Sequence, residues 1–325
     1  MKAYTVSSYG APKDVLSVVD HPVPKPKEKE VLIKVRTAAV NDYDWCICSG
    51  RPYEYRLFFG PLRPRRSLRT PGMEVAGIVE QVGTGVSKFK VGDAVFGDTS
   101  EYGFGSFAEY MAVHENALNM KPDKMSFEEA VTIPHAGMLA VQGYQLVGGV
   151  KDGMDILING GGGGVGAFAL QVAKQHNVNV VGVDTGEKLN RMLDQGFDAV
   201  IDYKQVDFTE AKAKYDIIFD CRTSRSPSQH KKAIKDNGHY VSIGGQSGKL
   251  LNMMLFRRLH QLGCNKKFHM VALKANQGMG TILKLYQQGQ LKFQIDGPFS
   301  FEQVPEAIQR FGDGKHHGKI VVRID

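Results

Sequence analysis

The sequence predicts an α/β protein made of a β-rich domain and a second domain with a doubly wound parallel sheet. Up to about Lys121, short alternating or β-branched runs such as "EVLIKVRTAAV" are separated by Gly, Pro, Asp and Lys, as is typical of short strands. Beyond that point, runs of strand type alternate with runs of helical spacing, which indicates parallel strands connected by helices. A run of glycines, Gly160 to Gly164, lies between one such strand and the next helix.

The second part begins at a predicted capping box, formed by Ser126 and Glu129, that opens a helix. The elements expected after it are a strand at 156–158, a helix at 167–175, a strand at 178–183, a helix at 188–195, strands in "AVIDY", "YDIIFDC" and "HYVSIGG", and a helix in "PSQHKKAIKD" between the last two strands. The terminal segment "KIVVRI" is predicted to be a strand that returns to the β-rich domain. We therefore place the β-rich domain at residues 1–123 and 292–325 and the parallel-sheet domain at residues 124–291.

The composition is that of an ordinary soluble globular protein, with 42% hydrophobic and 23% charged residues in a chain of 325. The longest apolar stretch, Ala130 to Val150, contains proline, histidine and glutamine, so we expect a buried helix and no membrane partner. The amino end lacks the apolar core of a secretory signal, which favours a cytoplasmic location. The spacing of the cysteines fits neither a disulfide framework nor a structural zinc site, and we expect reduced thiols at Cys46, Cys48, Cys221 and Cys264.

Six arginines crowd into the segment 51–69 of a chain with a formal net charge of +7. They are Arg51, Arg56, Arg63, Arg65, Arg66 and Arg69. Such a cluster is compatible with nucleic-acid binding, or with a solvated loop that steers anionic ligands. No nucleic-acid-binding motif accompanies the charge, so we favour the loop.

The glycine run carries the strongest functional signal in the chain. Within it, Gly161-x-Gly163-x-x-Gly166 matches the dinucleotide-binding fingerprint, with a strand before it and a helix after it. Glycine permits a tight turn, close approach of backbone to a pyrophosphate, and close packing of helix on strand. The free N–H groups at the start of the helix attract phosphate. The cofactor contacts predicted here are Gly161, Gly163, Gly164, Val165 and Gly166.

Asp184, at the end of the next predicted strand, decides the expected type of dinucleotide. A carboxylate at this interval after the glycines accepts the ribose 2′-OH of NADH and repels the 2′-phosphate of NADPH. The alternative is a solvated residue at a strand end, and Lys188 could offset the negative charge. The predicted cofactor is thus NADH or NADPH, with a preference for NADH. Four further cofactor contacts are predicted, at Thr185, Lys188, Tyr203 and Gly244.

Several blocks of sequence, in order, resemble one known superfamily. They include "PGMEVAGIVEQVG", "KVGDAVFGD", "GFGSFAEYMAVHE", "INGGGGGVGAFALQVAK" and "GKIVV". With these blocks the chain resembles the medium-chain dehydrogenase/reductase superfamily, specifically its zinc-independent quinone oxidoreductases and enone reductases. The resemblance implies a GroES-like catalytic domain completed by the carboxy-terminal strand, a Rossmann domain, a small-molecule substrate and a homodimer.

The resemblance also indicates a reaction without a metal. Zinc-dependent members have Cys where this chain has Asn41, and Gly-His-Glu where it has Gly72-Met73-Glu74. An amide and a thioether are not usual zinc ligands, and an unactivated alcohol needs a Lewis acid. Quinones and α,β-unsaturated carbonyls are already electrophilic, so hydride can add to them once donor and acceptor are aligned.

Two candidate catalytic residues and one further histidine follow from the resemblance. Asn41 is either a polar group at the nicotinamide and substrate or a cap of the following turn. Tyr53 is either a hydrogen-bond or proton donor or a packed aromatic in a loop. His135 falls in a stretch near the nicotinamide, and we interpret it as a core histidine bonded to backbone. Leu139 stands where many relatives have threonine.

The predicted function is reduction of a quinone or activated alkene by NAD(P)H, without zinc. One alternative is a non-catalytic NAD(P)H-sensing or RNA-binding protein on the same fold, which the arginine segment would suit. Another is alcohol dehydrogenase-like activity.

Overall fold

A computed structural model describes residues 1–324, with only the backbone of Arg257 and Arg258. Its packing divides the chain into two compact units. The first unit comprises Met1–His135, Ala275–Met279 and the chain from Phe293 onward. The second comprises Ala136–Lys274 and Gly280–Lys292. The first unit is rich in strands and the second holds a parallel sheet, so the predicted α/β class is confirmed.

The strands, in chain order, are β1 Lys2–Val6, β2 Leu16–Asp20, β3 Glu30–Ala39, β4 Glu74–Val82, β5 Ala94–Asp98, β6 Tyr110–His114, β7 Asn119–Met120, β8 Asp155–Asn159, β9 Asn179–Asp184, β10 Ala199–Asp202, β11 Tyr215–Asp220, β12 Ile234–Ser242, β13 Lys267–Met270, β14 Ile295–Phe299 and β15 Lys319–Arg323. The α-helices are α1 Pro12–Val15, α2 Asp42–Ser49, α3 Arg56–Phe59, α4 Phe127–Ala130, α5 Met138–Gln145, α6 Gly164–Ala173, α7 Lys188–Gln195, α8 Pro227–Ala233, α9 Ser247–Gln261, α10 Met279–Gln287 and α11 Val304–Gly312. None of these helices is long and apolar enough to cross a membrane.

The first unit has a two-stranded sheet of β1 and β2 and a larger sheet that is centred on β3. The strand order is β14-β15-β3-β4-β5-β7, and β6 also pairs with β3. The first half of β3 pairs with β6 and its second half with β15, both antiparallel. The prediction that "KIVVRI" returns to the β-rich part is therefore confirmed by β15. Val31, Ile33 and Val35 of β3 belong to the buried core of this unit.

The sheet of the second unit is entirely parallel, with the order β10-β9-β8-β11-β12-β13. The chain winds from β8 outward to β10 on one side and from β11 outward to β13 on the other, as in a doubly wound fold. Leu157, Val181, Ile218 and Tyr240 from four of these strands are buried in its core. The order reverses between β8 and β11, and ligands of such sheets bind at this switch point.

The helices differ from the predictions at three places. Helix α6 runs from Gly164 to Ala173, so it begins three residues before the predicted start and ends two residues before the predicted end. Ser126 and Glu129 do form the predicted capping box, with N–H to side-chain distances of 2.9 and 3.1 Å, but α4 is only one turn long. It packs against β3 and β4, so the first unit continues past the boundary placed at residue 123. The helix predicted in "PSQHKKAIKD" ends at Ala233, because Ile234 already begins the buried strand β12.

Candidate functional site

The glycine run forms the turn between β8 and α6, at the switch point of the parallel sheet. Gly160 has a φ of +80°, a conformation that favours glycine. A Cβ at Gly166 would lie 2.5 Å from the carbonyl oxygen of Gly160 and 2.6 Å from Cα of Gly161. A Cβ at Gly161 would lie 2.6 Å from the Cε of Met192 on α7. The turn is thus a cradle of bare backbone in front of the first N–H groups of α6, which suits a pyrophosphate.

Asp184 ends β9 directly beside this turn and is buried. Its Oδ2 accepts the N–H of Gly162 at 3.1 Å, and its Oδ1 accepts the N–H of Thr185 at 3.0 Å. The Nζ of Lys188, one helical turn further, lies 3.6 Å from Oδ1. The structure therefore brings together the glycine turn, Asp184, Thr185 and Lys188, as a ribose and pyrophosphate site requires.

Tyr203 follows the end of β10, and Gly244 follows the end of β12. The N–H of Tyr203 donates to the carbonyl oxygen of Asp184 at 3.1 Å, while its side chain is exposed at the surface. The carbonyl oxygen of Gly244, just after β12, accepts the N–H of Thr223 at 2.8 Å. Both residues lie at the carboxyl edge of the sheet, where the cofactor contacts were predicted.

A buried carboxylate that the sequence did not indicate forms hydrogen bonds at the carboxyl edge of the parallel sheet. Asp220 ends β11 and accepts hydrogen bonds from the Nδ2 of Asn159 at 2.7 Å, the hydroxyl of Tyr240 at 2.8 Å and the N–H of Arg222 at 3.0 Å. It thereby ties the ends of β8, β11 and β12 together. The only local sign is a polar residue closing an apolar strand.

In the first unit, Asn41 belongs to a buried ion-pair network. It precedes α2, and its N–H donates to the Oδ2 of Asp44 at 2.8 Å. Its Nδ2 donates to the Oε2 of Glu74 at 2.9 Å, and its Oδ1 accepts from the Nζ of Lys319. The same Nζ lies 2.5 Å from the Oε2 of Glu74. The side-chain amide thus joins the start of α2 to β4 and β15.

Asp44, in the first turn of α2, bonds this helix to a second segment of the chain. It is fully buried and accepts the N–H of Gly72 at 2.7 Å as well as that of Asn41. Burial raises the pKa of the Asp44 carboxyl to about 7, although both N–H groups and the charge of Lys319 oppose the rise. Asp44 thus fixes the segment before Met73 and Glu74 against α2.

His135 faces a buried carboxylate. It lies in a π-helical turn, Ile133–Gly137, and its N–H donates to the Oε1 of Glu74 at 2.7 Å. Its Nδ1 lies 2.9 Å from the Oδ2 of Asp98, whose Oδ1 accepts the N–H of Ser100. Burial lowers the pKa of His135, but the hydrogen bond and charge of Asp98 outweigh it and raise the pKa above its usual value. The interpretation of His135 as a core histidine bonded to backbone was wrong, because its N–H and its ring both contact side-chain carboxylates, those of Glu74 on β4 and Asp98 on β5.

Tyr53 lies in the arginine segment and is 62% exposed. The guanidinium carbon of Arg56 stands 4.9 Å from the centre of its ring. Leu57 and Phe58, close by on α3, are also exposed. The exposed arginines of this segment are Arg51, Arg63, Arg65 and Arg66.

All four cysteines are free thiols. Cys46 and Cys48 are buried on the helix α2, where burial raises the pKa of both. In the described part of the chain, no three His, Cys, Asp or Glu side chains are grouped so that they could hold a metal ion. With Asn41 bonded to Glu74 and Lys319, the residues here do not fit a catalytic zinc, and we derive no step through one.

Comparisons with known proteins agree with both units. Residues 27–123 match the alcohol dehydrogenase GroES-like domain, and residues 195–322 match the zinc-binding dehydrogenase family. The chain is 33% identical to 2-methylene-furan-3-one reductase of Solanum lycopersicum, over 99% of this chain and 79% of the relative. It is 31% identical to the chloroplastic quinone-oxidoreductase QR1 of Triphysaria versicolor, over 99% and 98%. The structure of the quinone oxidoreductase from Coxiella burnetii superposes with a TM-score of 0.87 at 26% identity, covering 100% of this chain and 99% of that one.

These matches define an oxidoreductase with a GroES-like domain and a Rossmann domain. The chain belongs to the medium-chain dehydrogenase/reductase superfamily, among its quinone and enone oxidoreductases. The resemblance inferred from the sequence is confirmed.

Proposed function

We propose that the chain is an NAD(P)H-dependent oxidoreductase that transfers hydride to a quinone or to the activated alkene of an α,β-unsaturated carbonyl compound, without zinc. The glycine turn at the switch point, flanked by Asp184 and Lys188, is the observation that carries the proposal. The class of acceptor is supported by relatives such as the NADPH-dependent alkenal/one oxidoreductase of Arabidopsis thaliana, at 31% identity. No structural observation favours the sensor, RNA-binding or alcohol dehydrogenase alternatives.

The chain's own residues would bind and orient the reactants, and a bound nicotinamide dinucleotide would supply the hydride. The bare N–H groups from Gly163 to Gly166 would hold the pyrophosphate, and Asp184 would hold the ribose. The acceptor is electrophilic by conjugation, so alignment and a hydrogen bond to its oxygen suffice. Asn41 and Tyr53 stay the predicted catalytic residues, although the contacts of Asn41 suit the positioning of Lys319 and Glu74.

The experiment that tests the function is a steady-state assay of NADH and NADPH oxidation with a panel of quinones and enones. We expect turnover with at least one acceptor class, and the same rate after prolonged treatment with a chelator. Simple secondary alcohols with NAD serve as the comparison and should give no reaction. Activity that a chelator abolishes and zinc restores would contradict the metal-free proposal.

The proposed preference for NADH rests on the buried carboxylate of Asp184. In Asp184→Asn the side-chain oxygen can still accept the N–H of Gly162, but the negative charge is gone. We therefore expect NADPH affinity to rise relative to NADH by about tenfold, equivalent to ~1.4 kcal/mol. Paired fluorescence titrations with the two dinucleotides measure this ratio. Glu28→Gln, at an exposed site in the first unit, is the matched control, and an unchanged ratio in Asp184→Asn would remove Asp184 from the 2′ position.

We further propose that the chain forms a homodimer through α9 and β13. Helix α9 exposes Leu251, Met254, Leu255 and Leu259 along one stripe, each more than half accessible. The helix packs on β13, which is the edge strand of the parallel sheet. In the described chain, the outer edge of β13 has no partner strand, and exposed edges and apolar stripes favour self-association.

The dimer proposal predicts a change of mass in one double variant. Leu255→Glu with Leu259→Glu places two charges in the apolar stripe, so we expect a monomer by light scattering where the parent protein is a dimer. Leu62→Glu alters a side chain that is 87% exposed in the first unit and should leave the mass unchanged. A monomeric parent protein at micromolar concentration would refute the proposal.

The cytoplasmic location stays a prediction, since some relatives are named as chloroplastic.

A further inference from the structure

The pair formed by His135 and Asp98 has a geometry that a purely structural ion pair does not need. One ring nitrogen, Nδ1, is held 2.9 Å from a carboxylate whose side chain is fully buried. The histidine side chain itself is 14% accessible. Among the residues that the structure describes, none forms a hydrogen bond with the other ring nitrogen, Nε2. A carboxylate on one nitrogen and a free second nitrogen is the arrangement that orients a histidine for proton transfer.

The position of this pair is fixed from several sides. Asp98 ends β5 and accepts the N–H of Ser100 at 2.8 Å, while its backbone is bonded to the side chain of Asn276 at 2.9 and 2.8 Å. The N–H of His135 donates to the Oε1 of Glu74 at 2.7 Å, which fixes the backbone that carries the ring. His135 also lies within a π-helical turn, a rare conformation that is frequent at functional sites.

The charges around the ring favour its protonated form. The charges of Asp98 on β5 and Glu74 on β4 raise the pKa of His135, while the charge of Lys319 on β15 lowers it. The hydrogen bond and charge of His135 in turn lower the pKa of Asp98, against the effect of its burial. The carboxylate of Asp98 thus favours the imidazolium form of His135, in which Nε2 carries an N–H.

We propose that His135 and Asp98 form the proton-donating site of the enzyme, with His135 as the catalytic acid and Asp98 as its positioning residue. This inference rests on the proposed reduction of a quinone or enone. When hydride adds to the electrophilic carbon, the electron pair of the conjugated double bond moves to the carbonyl oxygen of the acceptor. The Nε2–H bond then breaks and an O–H bond forms on that oxygen, giving a hydroquinone or an enol. Neutral His135 is reprotonated from water, and Asp98 stays ionised throughout.

The same arrangement indicates which acceptors suit the site. An N–H that delivers its proton to oxygen serves any acceptor whose reduction leaves charge on a carbonyl oxygen, and both quinones and enones meet this condition. The enol released from an enone becomes a ketone in solution. In D₂O, we therefore expect deuterium at the α-carbon without stereochemical preference.

The first test uses kinetics of His135→Gln, which removes the acid but keeps a polar side chain. We expect kcat to fall by about 10²-fold or more, the usual contribution of a general acid. NAD(P)H affinity should not change.

In the parent enzyme kcat should fall as the pH rises through the raised pKa of His135, because the donor loses its proton. This alkaline limb should be absent in His135→Gln and should move to lower pH in Asp98→Asn, since the carboxylate is what raises the pKa.

His176→Gln is the matched control, because His176 is an exposed histidine that pairs with Asp152 at the surface. It should keep both kcat and the pH profile. If His135→Gln does the same in an enzyme that oxidises NAD(P)H normally, the proton-donor proposal is wrong while the proposed function stands. If the parent protein reduces no quinone or enone, the proposed function itself fails.

A second test needs no activity and no variant. An NMR titration of the imidazoles in the parent protein should show His135 with a pKa above that of an ordinary histidine, with its Nδ1–H in a hydrogen bond. His239 is the internal reference, because burial and nearby lysines lower its pKa. The two histidines should therefore titrate on opposite sides of the ordinary histidine pKa. A His135 pKa at or below that of an ordinary histidine would overturn the proposal even if no variant folded.

Discussion

Gly166→Ala should abolish tight binding of NAD(P)H. The added methyl group would lie 2.5 Å from the carbonyl oxygen of Gly160 and 2.6 Å from Cα of Gly161, both of which are backbone atoms and cannot rotate away. The turn or the start of α6 must therefore move, and the N–H groups that face the phosphates move with it. We expect at least a tenfold loss of affinity, about 1.4 kcal/mol, and a loss of stability of about 1–3 kcal/mol from overpacking.

The control for this variant is Gly280→Ala. Gly280 lies in α10, where an added Cβ meets no atom within 4 Å, so the same chemical change adds no clash. Isothermal titration with NADH and NADPH, together with thermal unfolding, should separate the two variants clearly. Equal affinity in Gly166→Ala and the parent protein would show that the turn does not hold the cofactor.

The second large effect is expected from Lys319→Met. This change leaves the Oε2 of Glu74 without its cation and the Oδ1 of Asn41 without its donor, in a region where all three residues are buried. Breaking a buried ion pair by removing one partner costs about 3–5 kcal/mol, because the other charge stays desolvated. Denaturant unfolding should show a loss of this size.

Two further variants make the Lys319 experiment specific. Lys315→Met removes a lysine that is 70% accessible and pairs with Asp313 at the surface, and its stability should match that of the parent protein. Adding Glu74→Gln to Lys319→Met neutralises the stranded charge, so part of the lost stability should return. If Lys319→Met is no less stable than Lys315→Met, the buried network does not contribute as the structure indicates.

Local sequence patterns predicted the elements of the second unit well. The helix expected at 188–195 is α7 with the same bounds, and strands were expected within one residue of β8 and β9 at their starts. The reason is that these elements depend on local features of the sequence, namely the spacing of apolar residues and the glycines that end a helix or strand. The error at Ile234 arose because "KKAIKD" has helical spacing, while Ile234 is buried and pairs with Tyr215 of β11.

The candidate site residues were predicted less completely from the sequence than the helices and strands. The glycine turn and Asp184 could be predicted because a fingerprint of fixed spacing describes them. The pair of His135 and Asp98 could not, and neither could the support that Asp220 gives to the turn. In these cases the partners come from different elements of the fold, 37 residues apart for His135 and Asp98 and 61 for Asn159 and Asp220.

The amino-acid sequence alone determined that this chain has a β-rich part, a parallel sheet wound by helices and a dinucleotide turn, since each follows from short-range periodicity or from glycine where no side chain fits. Only the tertiary structure decided that Lys319 meets Asn41, 278 residues away, and that His135 bonds a buried carboxylate. The ionisation of a side chain depends on its burial and on the charged groups that folding brings next to it. Neither can be predicted from a short segment of the sequence.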